Sequence, residues 1–339
     1  MIAKSEFYRF FKEIPKAEIH VHFEAIIRRD SIKKLYQKKF GHEMSDEEIT
    51  ELFSYNDLNG FIQAYLKVQD LYTEVSDFDL VFKDFRNYLI ENGISYCEVF
   101  ASPSAFLKKG FDFAEMMQNY KRNIEKIEKE TGIIIRMLID VSRTFGPENA
   151  EHNLTLLLEN KIPQVIGIGL GGSESKGPAK DFGAVFERAI KNGLHVVAHA
   201  GEDMDAFSIW DSLRILHAQR IGHGLTTYQD EELIRYMEKE QIPLEVCPTS
   251  NVFTKKYVSK FSEHPVRGYF DRNLLVTINT DDPLFFEVSL IDEYWNIHSK
   301  LNFTKPQLKQ IIINSFKASF LEEEKKAYFI NLVEEAWSK

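Results

Sequence analysis

Two histidines, His20 and His22, sit in the segment AEIHVHF, where apolar and polar residues alternate as they do in a β-strand. Strand alternation predicts Glu18, His20 and His22 on one side and Ile19, Val21 and Phe23 on the other, facing helices. Imidazoles two residues apart on a strand are separated by roughly 6.5–7 Å, close enough to bind one metal ion through neutral ring nitrogens. A single His-x-His also arises as ordinary core or surface histidines, so its companions decide its meaning. Four further polar clusters end apolar runs: His199 with Glu202 in HAGE, His223 in RIGHG, Thr249 to Asn251 in CPTSN, and Asp281 with Asp282 in NTDDP. A purely structural account would need each polar group to be satisfied separately at an apolar strand end. A shared catalytic edge explains them together.

Catalytic zinc takes nitrogen and oxygen ligands and keeps one position open for water. His20, His22, His199 and Asp281 are the candidate ligands for one Zn2+ per chain. His223 is placed to orient the activated water or take its proton, and Glu202 to shuttle a proton between water and substrate. Asp282, on the opposite side of the backbone from Asp281, would reach the substrate; the alternative is a turn or helix cap before Pro283. The run GIGLGGSE brings glycines 167, 169, 171 and 172 to a strand end, for close approach of a flat ligand or for a tight turn. It matches neither a Walker A loop nor a GxGxxG fingerprint. No G-x-S-x-G nucleophile motif occurs, and no P-C-x-x-C zinc signature. His42, His152, His195, His217, His264 and His298 read as structural, and Arg28 and Arg29 as solvated surface or, alternatively, a phosphate contact.

Eight β-type runs can position these groups: residues 17–23, 95–100, 133–140, 165–170, 195–200, 220–224, 243–248 and 274–280. Most intervals read as amphipathic helices, such as Phe78, Val81, Phe82, Phe85 and Leu89, with Ser76 as a possible cap. Eight alternating βα units predict a single-domain (β/α)8 TIM barrel with extra helices over residues 1–339; an open doubly wound sheet is the rival. Polar clusters at strand ends then share the catalytic mouth. The long interval 24–94 follows the first strand, so Leu58, Phe61 and Tyr65 either line a helical lid or belong to a helix on the barrel wall.

Composition narrows the partners. Net charge is −10, from 42 Lys+Arg against 52 Asp+Glu, which disfavours nucleic acid. No apolar run is long enough to span a membrane, and Cys97 and Cys247 lie in apolar runs as small hydrophobes. A cytoplasmic protein with a small-molecule substrate is expected, and no segment specifies an oligomeric state.

Taken in order, PKAEIHVHFEA, SYCEVFASP, SRTFGPENA, GIGLGGSE, VVAHAGED, RIGHG, LEVCPTSN, NTDDP and SFLEEEKK resemble the adenosine deaminases of the metal-dependent amidohydrolase superfamily over nearly the whole chain. The resemblance implies a (β/α)8 barrel, zinc held by His20, His22, His199 and Asp281, and a purine nucleoside substrate met by His22, Glu24, Gly172 and Asp282. It makes Glu202 the residue that protonates purine N1, and His223 the one that positions the attacking hydroxide. Asp282 then partners N7, and the Gly172 backbone partners N3. The implied reaction converts adenosine or 2′-deoxyadenosine to the inosine compound and ammonia. Alternatives are another 6-aminopurine (6-aminodeoxyfutalosine, adenine or an adenosine nucleotide) or a catalytically inactive purine-binding barrel. Departures fall around Glu24, the position that contacts the ribose 5′ end, where Phe23 and Ala25 replace the frequent Leu and Gly; in the second-strand motif Phe100 stands where an Arg is frequent. Gly222 resembles the nucleoside-acting branch, since the adenine-acting branch often has Asp there.

Overall fold

Eight strands form one parallel sheet in sequential order: β1 (Lys16–His22), β2 (Ile94–Ala101), β3 (Ile134–Asp140), β4 (Val165–Leu170), β5 (His195–Ala200), β6 (Arg220–His223), β7 (Leu244–Val246) and β8 (Val276–Ile278). The coordinates are a computed structural model that describes residues 3–338. Past the end of β8 the sheet closes on β1 through a bridge between Val21 and Asp281. The His22 N–H donates to the Asp281 carbonyl at 2.8 Å, and the Asp281 N–H to the His20 carbonyl at 3.2 Å. Closure makes this the expected barrel rather than an open sheet.

The main apolar core lies between strands and surrounding helices, while Phe100, Leu138 and Val197 form a separate cluster within the barrel, with Phe320 beneath. The Phe320 ring is stacked on His195 and lies under the Arg220 guanidinium, each at 3.9 Å, which plugs the end where strands begin. His195, which reads as structural in the sequence, therefore sits at the far end from the mouth. Cys97 and Cys247 are buried and unbridged.

The alternation expected in β1 breaks. Glu18 pairs with Cys97 but Val21 with Val99, so β1 carries one extra residue between them. This bulge separates Glu18 from the side of His20 and His22. Its carboxylate instead accepts from Tyr88 Oη at 2.8 Å, on the helix Phe78–Glu91, and from Thr280 N and Oγ1 at 3.1 and 2.7 Å.

The interval after β1 holds the helices Arg29–Phe40, Asp46–Leu52, Leu58–Asp70 and Phe78–Glu91. A short turn with the Asp77 carboxylate accepting from Thr73 and Glu74 amides precedes the last of these, so Ser76 is not its cap. The helix Leu58–Asp70 packs on the loop after β8: Phe61 stacks on Phe286 at 5.0 Å, Tyr65 meets Phe285 at 5.2 Å, and Tyr55 Oη donates to the Phe285 carbonyl. This segment covers the chain just past Asp282; the side chain of Leu58 lies outside the described residues. Arg28 and Arg29 pair at the surface with Glu91 and Glu287. Among the described residues no helix is long and apolar enough to cross a membrane.

Candidate active site

The C-terminal ends of β1, β5, β6 and β8 bring His20, His22, His199, His223 and Asp281 to one mouth. His22 Nε2 lies 3.2 Å and His20 Nε2 3.5 Å from Asp281 Oδ1, while His199 Nε2 lies 3.3 Å from His22 Nε2. His20, His199, His223 and Asp281 each offer a ligand atom within 4.8 Å of the others, and His22, Asp281 and Asp282 form a second such group. The compact cluster thus includes His223 where the sequence pattern places His22, and Asp281 joins the two groups. His223 and Asp281 adopt left-handed backbone at φ 60° and 65°. Such a conformation costs a non-glycine residue roughly 1–2 kcal/mol, tolerated where it aims a functional side chain.

These side chains fit a cation. His20 Nε2 is buried with no hydrogen-bond partner, although it lies 3.5 Å from Asp281 Oδ1 among the other imidazoles. Burial lowers the proton affinity of His22, yet the hydrogen bond to Asp281 and the charges of Asp282, Asp281 and Asp140 push it up to about 10. Burial holds His199 well below the usual imidazole range, and unprotonated imidazole beside the Asp281 carboxylate is a donor set that a divalent ion would satisfy.

Behind the mouth, Glu245 Oε2 meets His20 Nδ1 at 2.7 Å, and its other oxygen accepts from Arg220, which also pairs with Glu98. A carboxylate at Nδ1 fixes the proton there and leaves Nε2 free as a ligand. Ser250 Oγ donates to Asp281 Oδ2 at 2.7 Å, leaving Oδ1 toward the imidazoles. Gly222 belongs to the same construction, since a Cβ there would lie 2.8 Å from His20 Cε1.

Glu202 stands at the rim with its side chain 26% exposed and Oε2 at 3.5 Å from His223 Nε2. Its loop is clamped by Glu174, whose carboxylate accepts from the amides of Gly201, Glu202 and Asp203 at 2.8, 2.7 and 2.9 Å. Burial, then the charges of Asp281 and Glu174, push the Glu202 carboxyl well above the usual carboxylate range. Asp282 is raised to about 7 by burial and by Asp281. Burial holds His223 neutral, down to about 3. Glu24 is buried; its Oε1 accepts from Ser102 N at 2.8 Å and its Oε2 has no partner.

The glycine run acts differently from either expectation at two positions. A Cβ at Gly169 would lie 2.7 Å from Phe100, and one at Gly171 2.9 Å from Asp140, so these glycines make room for barrel side chains. Gly172 has φ +89° with Thr144 Oγ1 3.0 Å from where a Cβ would stand, which leaves its backbone open at the mouth.

A closed parallel barrel whose strand ends carry an imidazole and carboxylate cluster defines the class, a metal-dependent amidohydrolase-type barrel. The family model described as adenosine deaminase matches residues 15–336, and the chain belongs to that family. It is 34% identical over 332 residues to the adenine deaminase of Wolinella succinogenes, covering 95% of this chain and 97% of that one. Its identity to the aminodeoxyfutalosine deaminase of Streptomyces avermitilis is 33% over 326 residues, covering 95% and 91%. The crystal structure of adenine deaminase from Arthrobacter aurescens superposes with a TM-score of 0.90 at 27% identity, covering 96% of this chain and 100% of that one.

Proposed function

We propose that the protein hydrolyses the exocyclic amino group at C6 of a 6-aminopurine, releasing ammonia. The observation that carries this reading is the meeting of His20, His22, His199 and Asp281 beside the Glu202 and His223 pair at one mouth. These four side chains would hold a zinc ion. Such an ion supplies Lewis acidity, lowering the cost of deprotonating a water molecule.

The chain's own groups do the rest. Purine N1, N3 and N7 are all acceptors, so each needs a donor. Glu202, whose raised proton affinity keeps it protonated, donates to N1 and makes C6 electrophilic. Asp282, raised to about 7, has a proton to offer N7, and the Gly172 N–H serves N3. His223 orients the attacking oxygen from the opposite side to the leaving amine. A C6–O bond forms and the C6–N bond breaks; the Glu202 proton stays on N1, one proton of the water restores Glu202, and the other passes to the amine, which leaves as ammonia. Glu202→Gln should lower kcat by about 100- to 10,000-fold with little change in KM; a variant with wild-type turnover would exclude this role.

For the substrate, the family relatives favour aminodeoxyfutalosine or adenine over the adenosine that the motifs first suggest. We favour the N9-substituted compound, aminodeoxyfutalosine. Gly222 supports it, since the resemblance assigns Gly at this position to the nucleoside-acting branch and often Asp to the adenine-acting one. Adenine is the second reading, supported by the similarity to the Wolinella enzyme. Loss of the amino chromophore on a panel of aminodeoxyfutalosine, adenine, adenosine and AMP separates them. Highest kcat/KM on aminodeoxyfutalosine is expected, preference for adenine would reverse the order, and no conversion of any would reject the deaminase reading.

A further inference from the structure

The segment CPTSN supplies one polar residue that the reaction as described leaves without a task, Asn251. It is fully buried in the helix Pro248–Thr254, and His264, which follows the turn Phe261–Glu263 and which the sequence pattern assigns to structure alone, is buried beside it. Asn251 Nδ2 lies 3.1 Å from His223 Nδ1, and Asn251 Oδ1 lies 3.3 Å from His264 Nε2. At the end of this chain the Val266 backbone N–H donates to His264 Nδ1 at 3.2 Å.

That last bond sets the polarity of all the others. A backbone N–H can only donate, so His264 Nδ1 carries no proton and its Nε2 must. The Nε2–H of His264 requires an acceptor, which places the carbonyl oxygen of Asn251 toward it and the Asn251 amide nitrogen toward His223; a flipped amide would set donor against donor. His223 Nδ1 therefore accepts, and its single proton lies on Nε2, the nitrogen 3.5 Å from Glu202 Oε2. A nitrogen bearing a proton has no lone pair for a metal. This resolves why His223 lies within the compact cluster yet differs from His20, whose Nδ1 faces a carboxylate and whose Nε2 is bare.

We infer that Asn251 and His264 are positioning residues that hold His223 in its Nε2–H tautomer, aim that N–H toward Glu202 and the attacking oxygen, and keep His223 out of the ion's ligand set. The effect on turnover rests on the deaminase reading; the tautomer does not. The test uses the full chain labelled with 15N-histidine and supplied with Zn2+, read by two-bond 1H–15N correlation, with His223 assigned by its loss in His223→Gln. In the wild type, Nδ1 of His223 should appear as an unprotonated nitrogen and Nε2 as a protonated one. Asn251→Asp, which replaces the donor by an acceptor, should move the proton to Nδ1 and lower kcat by about tenfold or more with the thermal transition still cooperative. His264→Leu should weaken the same signature, and His264→Gln, which restores an N–H donor, should recover signature and turnover relative to it. A wild-type His223 protonated at Nδ1 overturns the proposal even if the Asn251 and His264 variants fail to fold, and so does an Asn251→Asp protein with unchanged spectrum and rate. Absence of deamination on the whole substrate panel, with the Nε2–H signature present, would reject the deaminase reading and leave the tautomer assignment standing.

Discussion

Glu245 shows how much of this site is decided by residues that touch neither water nor substrate. Its two oxygens hold His20 on one side and Arg220 on the other, all three fully buried. Glu245→Gln removes the charge that fixes the His20 tautomer, and metal affinity should fall by about 10- to 100-fold. Competitive chelator titration measures this directly, and an unchanged affinity would remove Glu245 from the site's construction. The contrast in legibility follows from how each residue acts. His20, His22, His199, His223, Glu202 and Asp281 announce themselves because a polar residue closing an apolar strand is unusual in the local sequence. Glu245 acts through a partner distant in the chain, reaching His20 across 225 residues, and His264 reaches His223 only through Asn251. Glu174 lies in the glycine-rich motif, yet nothing local says that it clamps the amides of residues 201–203.

At the level of elements, alternation and strand count carry the barrel, whereas irregularities do not show in the pattern. The bulge in β1 is such a case: AEIHVH reads as clean alternation, and only pairing with β2 reveals the extra residue that turns Glu18 toward Tyr88 while the two histidines keep the inward side. The covering segment is another, because the apolar stripe of the helix Leu58–Asp70 is compatible with packing against the barrel wall or over the mouth. Its contact with Phe285 and Phe286 places it over the chain that follows Asp282. The stacked pair of Phe61 and Phe286 is worth roughly 0.5–1.5 kcal/mol beyond area burial. Phe61→Ala should therefore raise KM by about three- to tenfold with a much smaller change in kcat, and speed proteolytic cleavage within residues 53–70. If kcat fell and KM held, the segment would be acting on the chemical step rather than on capture of the substrate.

For the molecule as a whole, the proposed reaction centre lies at the weakest seam of the barrel. β1 and β8 meet through one bridge, two backbone hydrogen bonds around Asp281, and side-chain substitutes: Asn279 Oδ1 accepts from Ile19 N at 3.0 Å, and Glu18 accepts from Thr280. The helix Lys305–Ala318 packs across both strands from outside. His20 and His22 stand on one side of this seam and Asp281 on the other, so an ion held by all three would tie the first strand to the last. Binding to the native state alone at a hundredfold excess over the dissociation constant contributes about 2.7 kcal/mol, which for a chain of this size corresponds to a fall of roughly 4 °C in Tm on chelation. The loss should also be local. Hydrogen exchange should quicken first at the amides of His22 and Asp281, in peptides covering residues 17–24 and 276–284, while β3 and β4, which carry none of the proposed ligands, keep their protection. Restoring Zn2+ should reverse both effects. Uniform acceleration around the barrel would mean that closure is sustained by the helix layer, and that the metal ligands are carried by the seam without holding it together.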